Sequence, residues 1–188
     1  GQNDRKVQNY KRALEFFEIL IEHFPEAKIV PQAIFWKAEM HFALNLNLPE
    51  HSSSPDIPFN LLGQGEMGST LKPIPNGQII SYYAKYLITE HEAYQPIANF
   101  RLGQLYQQNR QAEESIASFK KYMDSGDKTY VSDAQYHLGM IHYNQKKDKE
   151  AVKYLTSAQS NENYEHNGNL LRMLVEIYGR TNQLKKKE

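Results

Sequence analysis

The sequence predicts an all-α protein, a solenoid of antiparallel helical hairpins, on three observations. The first is self-similarity at a fixed period. Phe100-Arg101-Leu102-Gly103-Gln104-Leu105-Tyr106, Tyr136-His137-Leu138-Gly139-Met140-Ile141-His142 and Arg172-Met173-Leu174-Val175-Glu176-Ile177-Tyr178 align with Gly103, Gly139 and Val175 spaced by 36 residues. A second stretch repeats at the same distance: Ser115, Ile116, Phe119 and Tyr122 correspond to Ala151, Val152, Leu155 and Ala158. The second observation is that apolar residues in each half recur at i, i+3/4 and i+7, the period of a helix face and not of a strand. The third is that the breaks, Gln107-Gln108-Asn109-Arg110 and Asn144-Gln145-Lys146-Lys147, are short and polar, as turns between paired antiparallel helices are.

Leu102-Gly103-x-x-Tyr106 followed by Ser115-x-x-x-Phe119 resembles the tetratricopeptide repeat, whose first helix carries L-G-x-x-Y and whose second carries A-x-x-x-F. Close helix approach is the physical reason for that pattern. A small residue at Ala38, Gly103 or Gly139 lets the second helix lie against the first, and an aromatic at Tyr106 or Tyr178 fills the space beside it. The resemblance implies that the hairpins stack as a right-handed superhelical solenoid. It extends upstream: Ala13-x-x-x-Phe17-x-x-Leu20-x-x-x-x-Pro25 is similar to the second half of a repeat. Phe35-Trp36-Lys37-Ala38-Glu39-Met40-His41-Phe42 is similar to a first helix, with Lys37 and His41 in place of the usual Leu and Tyr, and Ile80, Tyr83 and Tyr86 supply its partner.

In chain order, helices are expected near 4–24, 30–46, 78–91, 95–109, 111–125, 130–145, 147–160 and 166–181, with a stub after Asn182. They make one array: a half repeat at 4–29, a repeat at 30–94, repeats at 95–131 and 132–167, and a partial repeat at 168–188. The 30–94 repeat is interrupted by a Pro/Gly-rich insertion at 47–77, which holds five of the eight prolines and four of the ten glycines. A loop this long between paired helices is either functional or a tolerated surface insertion. The array opens on a lone second helix, and Gly1 stands where an initiator Met would. The sequence therefore implies an excerpt of a longer chain or one stripped of its leader, the alternative being that the first helix is itself a cap.

Composition removes several function classes. Lys+Arg and Asp+Glu both number 22 in 188 residues, so no surplus of cations exists to coat a nucleic-acid duplex. With no cysteine, disulfides, zinc-thiolate sites and thiol catalysis are excluded. No apolar run is long enough for a membrane span. Gly63-Gln64-Gly65-Glu66-Met67-Gly68 spells G-x-G-x-x-G, yet Pro58 precedes it and Pro73 and Pro75 follow, where a phosphate site needs a strand before and a helix after. His91-Glu92-Ala93-Tyr94-Gln95 lacks the second histidine of a zinc-protease helix, and a lone His cannot hold a catalytic zinc. His137 and His142 lie on different helix faces, and the runs Lys146-Lys147-x-Lys149 and Lys185-Lys186-Lys187 read as solvated charge. No catalytic residue, cofactor or metal ligand is expected.

The resemblance instead implies that the first helix of each repeat lines a concave, partner-binding face. That assignment selects Phe35 and Phe42, then Phe100, Gln104 and Gln107, then Tyr136, Met140 and Tyr143, and Arg172 in the last repeat. Aromatics bury area and amides match peptide backbone groups, so the face suits an extended peptide or a partner helix. Chaperone-binding relatives clamp two carboxylates with Lys and Asn. Those places hold Phe35/Glu39, Phe100/Gln104, Tyr136/Met140 and Arg172/Glu176, so the clamp is absent. The expected function is a non-catalytic protein-interaction scaffold, the alternative a module for self-association or for docking within a larger protein. Pro25 followed by Phe35-Trp36-x-Ala38-Glu39 is similar to repeats of bacterial cell-envelope scaffold proteins, which leans toward that location, otherwise the cytoplasm.

Overall fold

The computed structural model describes residues 2–46, 73–160 and 167–185. Among them run α1 (Gln2–His23), α2 (Val30–Leu46), α3 (Asn76–Leu87), α4 (Gln95–Gln108), α5 (Ala112–Asp124), α6 (Val131–Asn144), α7 (Asp148–Gln159) and α8 (Asn167–Lys185), with no strand among the described residues. The protein is all-α and built of helical hairpins, as the period predicts. Two boundaries differ from the expectation. The helix expected at 78–91 starts at Asn76 and ends at Leu87, and the stub expected after Asn182 is the continuous end of α8. Most of the insertion, with its G-x-G-x-x-G segment, lies outside the described residues. Its two feet are tied: Asn45 Nδ2 donates to the Ile74 carbonyl (2.7 Å) and to Asn76 Oδ1 (3.2 Å), joining the end of α2 to the start of α3.

The chain divides into two compact units, residues 1–98 and 99–188. In the first, α2 packs against both α1 and α3. A helix covered on two sides must be apolar around most of its surface, and Val30, Ala33, Ile34, Phe35, Ala38, Phe42, Ala43 and Leu44 are all buried. Lys37 is buried too. Its ammonium bonds Glu18 of α1 at 2.9 Å and lies 4.8 Å from the centre of the Tyr82 ring on α3, so the charge that departs from the repeat pattern is neutralised by one neighbour and attracted by the ring face of the other. Glu39, also buried, accepts a hydrogen bond from the Tyr83 hydroxyl.

In the second unit the small residues act as expected. A Cβ built on Gly103 would stand 2.7 Å from the Phe119 ring, and one on Gly139 would stand 2.6 Å from Leu155 Cγ. The helices of each hairpin therefore touch where the glycines are, and Ser115 Oγ donates to the Gly103 carbonyl at 2.7 Å across the first contact. Val175, in the same register on α8, behaves differently. Leu170, Met173, Leu174 and Ile177 bury with Tyr136, Ala151, Leu155 and Ala158 in one core cluster. Val175 is 70% exposed, and Leu171 and Tyr178 are exposed beside it. No described helix lies on that side of α8, so the expected role of Tyr178 as a gap filler is not realised.

The turns of both hairpins repeat as well. After α4, the Gln111 N–H bonds the Tyr106 carbonyl (2.8 Å) and the Arg110 N–H bonds that of Gln107 (3.0 Å); after α6, Lys147 bonds His142 and Lys146 bonds Tyr143, both at 3.0 Å. These are Schellman caps, which place their penultimate residue in the left-handed region. Arg110 and Lys146 both have φ of 60°. Glycine is the residue that adopts this conformation without a steric cost.

A third recurrence is aromatic. Phe35 stacks on Tyr94 at 4.5 Å with Tyr86 at 5.2 Å and Tyr83 at 6.2 Å; Phe100 stacks on Tyr130 at 4.6 Å with Tyr122 at 5.3 Å and Phe119 at 5.6 Å. Each box carries a hydroxyl at its centre. The Tyr86 hydroxyl donates to the His91 carbonyl (2.7 Å) and accepts from the Tyr94 N–H (2.9 Å). The Tyr122 hydroxyl donates to Asp127 Oδ1 (2.9 Å) and accepts from the Tyr130 N–H (2.6 Å). Tyr94 and Tyr130 immediately precede α4 and α6, so each hydroxyl satisfies a backbone donor at a helix start.

Two outcomes are expected in denaturant melts. Tyr122→Phe keeps the ring but strands the buried Tyr130 N–H, and should cost about 1–3 kcal/mol. Arg110→Gly should stabilise by about 1 kcal/mol, because it relieves the left-handed residue without touching the core.

Candidate functional site

The face predicted to meet a partner is made by the helices that open each hairpin, and the structure splits its residues into two sets. Phe35 and Phe42 are each 1% exposed and Phe100 is 2% exposed, so the rings of this set belong to the aromatic boxes and the interior. Tyr136, 7% exposed, sits in the core cluster with Ala151 and Leu155, and burial pushes its hydroxyl pKa up. The stacking partners Tyr94 and Tyr130 are what cover Phe35 and Phe100. Their 36-residue spacing, matching that of Tyr86 and Tyr122, is the sequence signal that marks these rings as core.

The second set is reachable. Gln104, Gln107, Met140 and Tyr143 are half-buried and Arg172 is exposed. Gln104 Oε1 accepts from Arg101 Nη1 at 3.2 Å, a guanidinium that is itself buried and lies 5.6 Å from the centre of the Tyr130 ring. Met140 and Tyr143 pack against the core cluster with one side and leave the other outward. The Tyr143 hydroxyl donates to Glu176 of α8, which raises its pKa, and burial adds to the shift. Arg180 spans the same corner: its guanidinium lies 5.1 Å from the centre of the Tyr143 ring and holds Asp148 of α7 through two of its nitrogens, Nε to Oδ2 at 2.9 Å and Nη2 to Oδ1. That pairing lowers the Asp148 carboxyl pKa. Tyr143, Glu176, Arg180 and Asp148 thus clasp α6, α7 and α8 together at the surface. Sequence reasoning missed Asp148 and Arg180 as partners, because residues 32 apart on different helices have no local signature.

Beside Gln107 the surface dips into a cavity of about 250 Å³ lined by Gln107, Arg110, Ala112, Ile141, Asn144 and Gln145. Gln107 comes from the last turn of α4, Arg110 from the cap that follows it, Ala112 from the start of α5, and the other three from the end of α6 and its cap. Of these six, Gln107 was among the predicted contacts.

These groups make a surface of hydrogen-bond donors, acceptors and short apolar stretches, suited to reversible recognition. Among the described residues no group of three or more His, Asp or Glu could hold a metal ion, and no helix is long and apolar enough to cross a membrane.

The comparisons agree with this geometry. Family models of the tetratricopeptide repeat match residues 97–125 and 133–161. The two matches begin 36 residues apart and fall on the α4–α5 and α6–α7 hairpins, so tetratricopeptide-repeat motifs are present in the chain. No curated protein matches it.

Two histidines on α2 and α6 tie stability to pH. Burial pushes His41 and His142 below the ordinary imidazole value of 6.5, with Lys37 and Lys147 respectively adding repulsion. His142 is stacked on Tyr154 at 5.6 Å and His41 on Tyr82 at 5.9 Å, and the Nδ1 atoms of both are buried without a hydrogen-bond partner. Below pH 6.5 the unfolded chain takes up protons that the folded chain refuses, so stability falls as pH drops through that value toward the folded-state pKa values. Thermal melts between pH 7.5 and 5 should show this loss, and the His41→Gln/His142→Gln variant should flatten it.

Proposed function

We propose that this chain is a non-catalytic protein-interaction scaffold that holds an extended peptide or a partner helix. Gln104, Gln107, Met140, Tyr143 and Arg172 are the contacts. The observation that carries the reading is the division of labour on the hairpin-opening helices. The rings of Phe35, Phe42, Phe100 and Tyr136 are interior, and outward positions on α4, α6 and α8 carry amides, a thioether, a half-buried phenol and a guanidinium. Met adapts to varied apolar partners and amides pair with exposed peptide groups, which suits a binding surface better than a reaction centre.

A second reading has its own support. The exposed stripe Leu171, Val175 and Tyr178 on α8 favours a module that docks on a second copy or on another domain, and light scattering would then give a mass that rises with concentration. The likeness of the Pro25 and Phe35-Trp36 segments to envelope scaffold repeats supports a place in a bacterial cell envelope, which fractionation tests.

The experiment is a pull-down with the intact chain, identification of the retained protein, and titration of that protein against variants. Met140→Ala and Tyr143→Ala should each weaken binding by about 1–3 kcal/mol while the fold persists. Tyr136→Ala is the contrasting variant, expected to cost about 3–5 kcal/mol of stability as a core truncation. Unchanged binding in both Met140→Ala and Tyr143→Ala would remove this face from the interaction.

A further inference from the structure

Among the described residues, two helices keep a hairpin face open. α1 has the register of a second helix: Ala13, Phe16, Phe17 and Leu20 stand where α5 has Ser115, Ser118, Phe119 and Tyr122, and where α7 has Ala151, Tyr154, Leu155 and Ala158. The four α5 residues are buried, whereas Phe16 is more than half exposed and Ala13, Phe17 and Leu20 are only half-buried. α8 has the register of a first helix: Val175 stands where Gly103 and Gly139 stand, and Tyr178 where Tyr106 and His142 stand. Gly139 and His142 are buried, while Val175 and Tyr178 are exposed. Each of the two helices bares the side that the other kind of helix covers in a complete hairpin.

The complete hairpins show which residues meet across such faces. In the α6–α7 hairpin a Cβ on Gly139 would touch Leu155, and His142 stacks on Tyr154 at 5.6 Å with the rings nearly parallel. Carried by the repeat register onto α8 and α1, these pairs become Val175 with Phe17 and Tyr178 with Phe16. The contact of Ser115 with Gly103 in the α4–α5 hairpin becomes Ala13 with Val175. The antiparallel order of these pairs also brings Arg172 level with Glu22, and Glu176 level with Arg12. All four are exposed, and the charges are opposite at both places. Val175 adds a branched side chain where the glycines have none, so the two helices stand further apart than within a hairpin and the contact is looser.

We propose that α8 of one copy of this chain packs against α1 of a second copy, so that two chains together complete one repeat. This inference rests on the self-docking reading of the exposed α8 stripe, and it adds the surface that the stripe meets. A contact between unlike surfaces leaves one of each kind free, so the assembly closes into a ring or continues as a filament.

The test is sedimentation velocity of the full chain. The wild-type chain should give a mass that rises with concentration. Val175→Glu and Phe16→Glu each place a charge in the apolar contact and should each weaken association roughly a hundredfold, leaving monomer where the wild type associates. Both residues are exposed, so the fold is kept, as circular dichroism verifies; Tyr178→Glu and Phe16→Lys serve as second variants of the two faces. The decisive sample is an equimolar mixture of Val175→Glu and Phe16→Glu. The first supplies an intact α1 and the second an intact α8, so the mixture should form a dimer and stop there, although neither variant associates alone. A wild-type chain that stays monomeric at every concentration overturns both this inference and the self-docking reading. Association that survives in either single variant, or a mixture that stays monomeric while the wild type associates, overturns the α8–α1 contact and leaves self-docking standing.

Discussion

Two tyrosine hydroxyls, one in each compact unit, organise the aromatic interior of this protein. Tyr86 and Tyr122 close one helix of a hairpin, and each hydroxyl reaches past the turn to accept the N–H of the tyrosine just before the next helix. That bond does the work of a helix N-cap from a distance, and it fixes where Tyr94 and Tyr130 place their own rings. Those rings then stack on Phe35 and Phe100. A hydroxyl, two backbone turns and four rings are thereby made mutually dependent. The short turn contacts are copied too: Thr89 Oγ1 donates to the Tyr86 carbonyl and Ser125 Oγ to that of Tyr122, at 2.7 and 2.6 Å. Burial raises the pKa of both hydroxyls, so they stay protonated and can donate and accept at once.

The consequence reaches the surface. Because the boxes absorb Phe35 and Phe100, the outward positions of α4 and α6 are left to residues that tolerate water. Tyr143 illustrates the balance, with its ring against the core cluster and its hydroxyl on Glu176. The Arg180–Asp148 pair beside it is still about a quarter exposed, so its worth lies in orienting α8 against α7 more than in stability. Rigid helices thus present small adaptable groups, an arrangement in which a partner meets preorganised contacts without the hairpins having to reshape.

The strained caps show how closely fold and surface are coupled. Arg110 and Lys146 occupy the same place in successive hairpins, both with left-handed backbone, where glycine would be the stable choice. Each keeps a long cation instead. Lys146 extends over the Tyr143 ring at 5.6 Å, and Arg110 lines the cavity. Positive charge at these helix ends is also favoured by the helix dipole, which offsets part of the backbone cost.

The 36-residue period determined the helices, the hairpins and the close contacts at Gly103 and Gly139, because a small residue opposite a large one is a local pattern that any repeat must preserve. Helix ends were legible within a few residues, since the polar breaks that end them are local too. The partner face was legible only in part. Phe100 and Tyr136 look alike in sequence to a ring exposed in a groove, and the distinction depends on whether another ring arrives from the following turn. Val175 shows the same limit from the other side: its register equals that of Gly139, yet it is exposed because no described helix covers it. A sequence records which residues could face a neighbour, and burial depends on whether the neighbour is there. Tertiary structure alone decided that Phe35 and Phe100 are interior, that Asp148 meets Arg180, and that a cavity opens beside the ends of α4 and α6. Each of these is set by the packing of segments distant along the chain, and no local period encodes it.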